Sequence, residues 1–341
     1  MTLAERLAQI EAAAWQPGGL ALRTVEQMTS DQPDLLRALM CAAIPHAWDA
    51  ALLVRILDPD LASSAGECHD RLISLTVVEP YLSRPDWHNV HEVTRLALRE
   101  KLFAEGRLQA LSARAFDAMG LATAGEPQFV TIERLYHQLL ASPEAGAEAL
   151  EQQWRTWHDA GRWSELLNLA AMLEDLLAHL APMARARALL RRAAIRTDRR
   201  PLPELASQAK ESADLFLQLN HEAGYSQALD LCGDVAQAQG DLAGAQRYYN
   251  ECKDISERLA ASDPANAGWQ RDLAASYSKL GDVAQAQGDL AGAQRYYNED
   301  KAISERLAAC DPANAAWQRD LAVSWSRLGD VAQAQGDLAG A

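Results

Sequence analysis

The residues best equipped for chemistry in this 341-residue sequence cluster within its first hundred positions: Cys68, His69, His88 and His91. Cysteine and histidine at short spacing are metal ligands, and His88 and His91 stand three apart. A zinc site needs a second ligand pair at a matching distance, as in a ribbon or an HExxH helix, and none is present. The spacing favours packing and turn hydrogen bonds over a metal centre. Serine, histidine and aspartate all occur, but no GxSxG elbow frames a nucleophile. Glu174 and Asp175 are paired carboxylates, yet on a helix flank they read as solvated charge. No GxxxxGK[ST] occurs, so no backbone cradle or lysine is set for a phosphate. The expectation is a non-enzymatic chain with no catalytic residue, metal or cofactor.

One basic stretch stands out: Arg185, Arg187, Arg191, Arg192, Arg196, Arg199 and Arg200 face a lone Asp198. Two readings stay open. Arg185, Arg191, Arg192 and Arg196 contact an anion, a nucleic acid or an acidic protein surface, or the stretch is a solvated helix whose long stems cover apolar neighbours.

The elements that must position any binding residue are written almost twice over. Residues 233–251 read GDVAQAQGDLAGAQRYYNE, and residues 281–299 repeat them letter for letter; a third copy begins at Gly329 and is interrupted at Ala341. A 48-residue period predicts a solenoid, whose units bury their apolar faces against their neighbours. In the complete unit, Asp263-Pro264 reads as a cap and first-turn proline. Helix A then carries Trp269, Leu273, Tyr277, Leu280 and Ala284 at helical spacing, and Gly288 ends it. Asp289 caps helix B, whose apolar side is Leu290, Ala293, Tyr297, Ile303 and Leu307. Gly281 and Ala293 are small enough to let the two helices approach closely. The interrupted third unit leaves its helix A uncovered, which predicts self-association through that end and suggests a fragment of a longer protein.

Composition agrees with helices: 49% of residues are apolar and only 6% aromatic. The net charge is −15, and residues 201–341 hold 21 acidic against 11 basic side chains, so most of the excess lies in the repeats. An acidic solenoid is a poor binder of phosphate backbones. The five cysteines, Cys41, Cys68, Cys232, Cys252 and Cys310, are scattered and read as free thiols. The start, MTLAERLAQIEAAAW, lacks a signal-peptide pattern. The most apolar run, Leu166 to Met183, carries Glu174, Asp175 and His179 and predicts a core helix, not a membrane span. The location expected is cytoplasmic.

In chain order, residues 1–29 form a remnant helical segment broken at Pro17-Gly18-Gly19. Residues 30–122 give three helices, two short extended pieces around Ser83-Arg84-Pro85-Asp86, and a closing helix, which is a winged-helix order. The third of these helices, AGECHDRLISL, sets only Arg71 against Glu67 and Asp70, which is poor equipment for a major groove. After a linker at 122–127, residues 128–216 read as degenerate helical repeats and 217–341 as the clean ones, the last truncated.

Two resemblances follow. Tyr277-x-x-Leu280-Gly281 and Trp325-x-x-Leu328-Gly329 resemble the first-helix signature of the tetratricopeptide repeat, and Ala293-x-x-x-Tyr297 resembles its second-helix signature. The unit is longer than the usual repeat of about 34 residues and is similar to the extended repeats of kinesin light chains. It departs from the pattern at Ala284, where an aromatic is usual, and at Pro312, which follows a longer second helix. PGGLALRT, LISLTVVEPYL and WHNVHEVTRLALREKL resemble the winged-helix region of STAND switch proteins of the NB-ARC and NACHT type. The fold expected is all-α: an α-solenoid of tetratricopeptide-like helical hairpins preceded by a small winged-helix-like domain.

The tetratricopeptide resemblance implies a concave groove lined by helix A. Its residues would be Asp230, Asp234 and Gln237, then Ser278, Asp282 and Gln285, then Ser326, Asp330 and Gln333. Members that clamp a carboxylate use lysine, arginine and asparagine at such positions, and this groove lacks those cations. The partner expected is a protein or peptide, basic or polar, with no role for a membrane. The alternative is that Asp234, Asp282 and Asp330 merely solvate the helix surface. The function expected is a protein-interaction scaffold or sensor arm. The other readings are a C-terminal fragment of a STAND-type nucleotide-dependent switch and a winged-helix nucleic-acid binder.

Overall fold

A computed structural model describes residues 18–120, 128–195 and 201–336 of the chain. The chain divides into two compact units, 1–184 and 185–341. The remnant segment up to residue 17 and the linker at 122–127 lie outside the described residues.

In unit 1, helices α1 (Gly19–Met28), α2 (Pro33–Ala42), α3 (Ala50–Ile56) and α4 (Ala65–Ile73) precede a two-stranded hairpin, β1 (Val78–Pro80) and β2 (His88–Val90). Helices α5 (Glu92–Ala104), α6 (Leu108–Ala118), α7 (Gln128–Ala141), α8 (Pro143–Asp159) and α9 (Trp163–Leu176) follow. Local signals set the boundaries. Pro33 and Pro143 occupy first-turn positions, where a missing N–H costs nothing. Asp49 caps α3 by accepting from the Leu52 N–H at 2.7 Å. The strands pair antiparallel with Val78 opposite Val90, and Trp48 exchanges two backbone hydrogen bonds of 2.8 Å with His88.

The long apolar run does not form the single core helix expected of it. Helix α9 stops at Leu176, a 3₁₀ turn covers Leu177–His179, Leu180 is extended, and α10 opens at Pro182. A continuous helix would have placed Pro182 in its interior, losing a backbone bond and clashing with the preceding turn. Among the described residues, no helix is long and apolar enough to cross a membrane.

The centre of unit 1 is charged. Glu133 on α7, 2% exposed, accepts from the His46 backbone N–H at 2.8 Å and faces His46 Nδ1 at 2.8 Å and His137 Nε2 at 3.2 Å. Asp175 on α9 accepts from Arg95 at 2.9 Å and lies 3.6 Å from His46 Nε2. Arg95, buried on α5, also forks onto Glu92 at 2.8 and 2.9 Å. One turn further, Arg99 stacks over the Tyr136 ring, 4.7 Å from its centroid. Three carboxylates (Glu92, Glu133, Asp175) thus meet three cations (His46, Arg95, Arg99). Asp175 is therefore not the solvated flank that helical spacing suggested, because its partner Arg95 lies 80 residues upstream.

This network makes stability pH-dependent. Burial alone would depress His46, but Glu133 and Asp175 outweigh it and hold its pKa above 6.5. A raised folded pKa contributes stability that is complete below the unfolded value and is lost as pH rises through the folded one. His88, His137 and His179 are depressed by burial and act with the opposite sign below 6.5, while Cys41, Cys232 and Cys252 are raised by burial and act with the same sign as His46 once pH nears 9.0, so His46 is isolated only between about 6.5 and 8. Urea titrations of the wild type between about pH 6.5 and 8 should show stability falling with pH. His46→Gln should be less stable on the acid side and lack that fall.

Unit 2 is an α-solenoid of tetratricopeptide-like hairpins. It contains most of α10 (Pro182–Ala194), then α11 (Leu202–Gln218), α12 (Glu222–Ala238), α13 (Leu242–Ser262), α14 (Ala267–Ala286), α15 (Leu290–Cys310) and α16 (Ala315–Gln335). Helices α12 and α13, and then α14 and α15, are the repeated A and B pair; α16 is the next helix A. Asp241 and Asp289 cap the B helices by accepting from Gly244 and Gly292 N–H at 2.8 Å. Gly240 and Gly288 end the A helices at φ 80° and 82°, a region open to glycine without steric penalty. The expected start at Asp263 shifts by three residues. Asn266 is the cap, accepting from Trp269 N–H at 3.2 Å, while Asp263 ends α13 and holds the turn through Ala265 N–H at 3.2 Å.

The core repeats with the sequence. Ala236, Ala245, Tyr249 and Val283 pack as one cluster, and Ala284, Ala293, Tyr297 and Val331, each 48 positions later, pack as the next. On α16, Val323 and Trp325 remain 43% and 54% exposed.

Candidate functional site

The A helices carry a polar ladder along one face. The Tyr249 hydroxyl donates to Asp234 at 2.7 Å with Gln237 Oε1 at 3.2 Å. Forty-eight residues on, the Tyr297 hydroxyl donates to Asp282 at 2.8 Å with Gln285 Oε1 at 3.1 Å. Each tyrosine thereby ties helix B to the acid and amide of its own helix A. Burial and Asp282 push the Tyr297 hydroxyl above its usual pKa, so it stays a donor.

A cation from the following helix A closes each rung. Lys279 Nζ reaches Asp230 at 2.6 Å and Asp234 at 2.8 Å. Arg327 reaches Asp282 at 3.1 Å and also donates to Ser278. Burial would lower the Lys279 ammonium, but the two aspartates more than offset it and hold its pKa above the ordinary lysine value. Of the acids expected to line a groove, Asp230, Asp234 and Asp282 are thus already paired with cations. Lys279 and Arg327 occupy one repeat position, but its counterpart in the earlier copy is Leu231, outside the identical stretch. Aligning the copies by period would have exposed this recurring cation. The third set, Ser326, Asp330 and Gln333 on α16, is exposed.

Between α14 and α16, over α15, lies a cleft of 370 Å³. Its cations are Arg271, Lys279 and Arg327, and its acids are Asp272, Asp300 and Asp320. Arg271 and Asp320 pair across the rim at 2.6 Å. Asp300 is buried in the floor, where Ser324 Oγ donates to it at 2.9 Å and Ser304 Oγ lies at 3.3 Å. Burial raises its pKa, and the two serines only partly offset this. One repeat earlier the same position is Cys252, surrounded by Ser226 at 3.2 Å and Ser276 at 3.4 Å. The floor of this layer is therefore polar in both copies, but only the later one supplies a carboxyl.

Three arginines of the basic stretch bond within their own unit. Arg185 pairs with Glu211 at 2.6 Å, Arg191 donates to Gln227 at 3.1 Å, and Arg192 lies 3.4 Å from Glu204. Arg191 and Arg192 are buried, with their stems in the packing of α10. Arg196 lies outside the described residues. In unit 1, the His69 and His88 rings approach to 5.7 Å and both flank Trp48. Among the described residues, no group of three or more histidine, cysteine or acidic side chains is placed to hold a metal ion.

No protein-family model matches the chain, and no curated protein matches it. Among solved structures, it is similar to the crystal structure of BtubC (BKLC) from P. vanneervenii. That match has 16% identity and a TM-score of 0.43, over 71% of this chain and 86% of that one. It is also similar to a STAND protein with a tetratricopeptide repeat sensor from Pyrococcus horikoshii. There the identity is 11% and the TM-score 0.30, over 96% of this chain and 56% of that protein, so this chain spans little more than half the length of the archaeal one.

Proposed function

We propose that unit 2 is a protein-interaction scaffold and that the cleft over α15 holds an extended polar segment of its partner. The mixed lining of that cleft carries the reading. Lys279 and Arg327 already neutralise Asp230, Asp234 and Asp282, so a purely basic segment would have to displace both cations. The rim pair is more readily exchanged. Arg271 and Asp320 are 52% and 33% exposed, and a pair so placed is worth roughly 0–1 kcal/mol. A segment offering both donors and acceptors can replace each half of that pair, while Ala275 and Val323 leave room for its backbone.

Peptides selected from a random display library on the full chain test the proposal. They should bind Ala275→Trp or Val323→Trp at least about tenfold more weakly, a loss of about 1.4 kcal/mol. Both positions are exposed, so neither change disturbs the core. Equal binding to the variants, or no enriched sequence, would remove the cleft as the working surface. Charge reversal at Asp234 or Asp282 is a poorer test, since each is bonded to a tyrosine and a cation of the scaffold itself.

A further inference from the structure

We infer that unit 1 contains a binding site for a small, uncharged, planar ligand presenting a hydrogen-bond donor beside an acceptor, such as an aromatic amide. A cavity of 520 Å³ opens beside His46, between the hairpin end, α7 and α9. That volume lies in the range of about 300–1,000 Å³ typical of small-molecule sites. One side is apolar: the Tyr81 and Phe129 rings, 6.0 Å apart, with Ile132 and Met172. The other side carries Asp175, Asn168 and Gln128 above His46 and Glu133.

The hydrogen bonds already made decide what the cavity can accept. Both Glu133 oxygens are engaged, one by the His46 N–H and His137 and the other by His46 Nδ1. Both His46 nitrogens face carboxylates, so this histidine holds charge in the wall and is not available as a base. Asp175 receives Arg95 and His46 on Oδ2, and its other oxygen takes neither. Asn168, exposed on α9, lines the same side and carries an amide donor that a ligand acceptor can meet. The cavity thus presents an acceptor and a donor beside a flat apolar wall. The surrounding charges are already balanced three against three, so a charged ligand would lose its hydration and gain no counter-ion. Arg84, stacked 4.7 Å from the Phe129 centroid, fixes that ring.

Saturation-transfer NMR on the full chain with benzamide, toluene, benzoate and benzylamine tests this. Benzamide should bind at least about tenfold more tightly than the other three. Ala171→Trp should abolish its signal; Ala171 is exposed on α9 and lines the cavity, so the indole fills the space without entering the charge network. Ile132→Trp is a second blocking variant should the first not fold, and unchanged thermal unfolding qualifies either. Toluene, benzoate or benzylamine matching benzamide would overturn the inference. So would a benzamide signal that persists in a folded blocking variant, or no benzamide binding at millimolar concentration. The proposal rests on unit 1 alone and is independent of the cleft in unit 2.

Discussion

Replacing Glu133 with glutamine should remove about 3–5 kcal/mol from the stability of unit 1, although the side chain barely changes shape. The loss follows from charge. Glu133 is the acid that His46 and His137 share, and its field also acts on Arg99. Arg99 is 2% exposed, and among the described residues none of its three guanidinium nitrogens has a hydrogen-bond partner. Burial, helped by Arg95, pulls its pKa down to about 9, and only the carboxylates nearby and the Tyr136 face offset that cost. With Glu133 neutral, three cations would remain against two acids. Breaking one partner out of a buried charge set is far more damaging than never having had the set, because the survivors stay desolvated. Glu148→Gln, exposed on α8, is the control and should stay within about 0.5 kcal/mol of wild type. Hydrogen exchange of the α7 amides, with urea unfolding, reads both. A Glu133→Gln protein as stable as the control would mean that waters, not Glu133, satisfy the buried cations.

That network marks the limit of what the sequence could reveal. Repetition made unit 2 legible: a 48-residue period, a glycine at 240 and 288, and an aspartate immediately after each fix where helices end and begin. Those signals are local, acting within a turn of the residues that carry them. Asp263 misled for the same reason, since Asp-Pro and Asn three residues later are both plausible starts and only the observed cap bonds decide between them. The charged centre of unit 1 depends instead on pairs such as His46–Glu133 and Arg95–Asp175, separated by 87 and 80 residues. No periodicity within a helix contains that information. The rungs along the A helices fall between these cases. Tyr297 and Asp282 lie in the repeated stretch, but Lys279 and Arg327 act on the preceding unit across 45 and 49 residues, so a reading of one unit at a time sees acids without their cations.

Repetition also permits a prediction that is made twice in one molecule. Gly281→Ala should destabilise unit 2 by about 1–3 kcal/mol, and Gly233→Ala by a similar amount. Alanine is ordinarily the better helix former, by about 0.8–1.0 kcal/mol, so intrinsic propensity alone predicts the opposite sign. Sterics decide. A Cβ on Gly281 would sit 2.6 Å from Cδ1 and 2.8 Å from Cζ of Tyr297, and one on Gly233 would sit 2.6 and 2.7 Å from the same atoms of Tyr249. Neither ring can swing aside, because its hydroxyl is bonded to the aspartate of its own helix A and the ring is packed among Ala284, Ala293 and Val331, or their counterparts. Relief would require separating helices A and B or breaking the rung, so overpacking of about 1–3 kcal/mol adds to a lost hydrogen bond of about 1 kcal/mol. Gly66→Ala in α4, where nothing lies within 4 Å of the added carbon, should instead gain up to about 1 kcal/mol. Urea unfolding of the three single variants reads the contrast in sign. A neutral Gly281→Ala would show that the tyrosine ring is not the wedge that sets the spacing between the helices of each repeat.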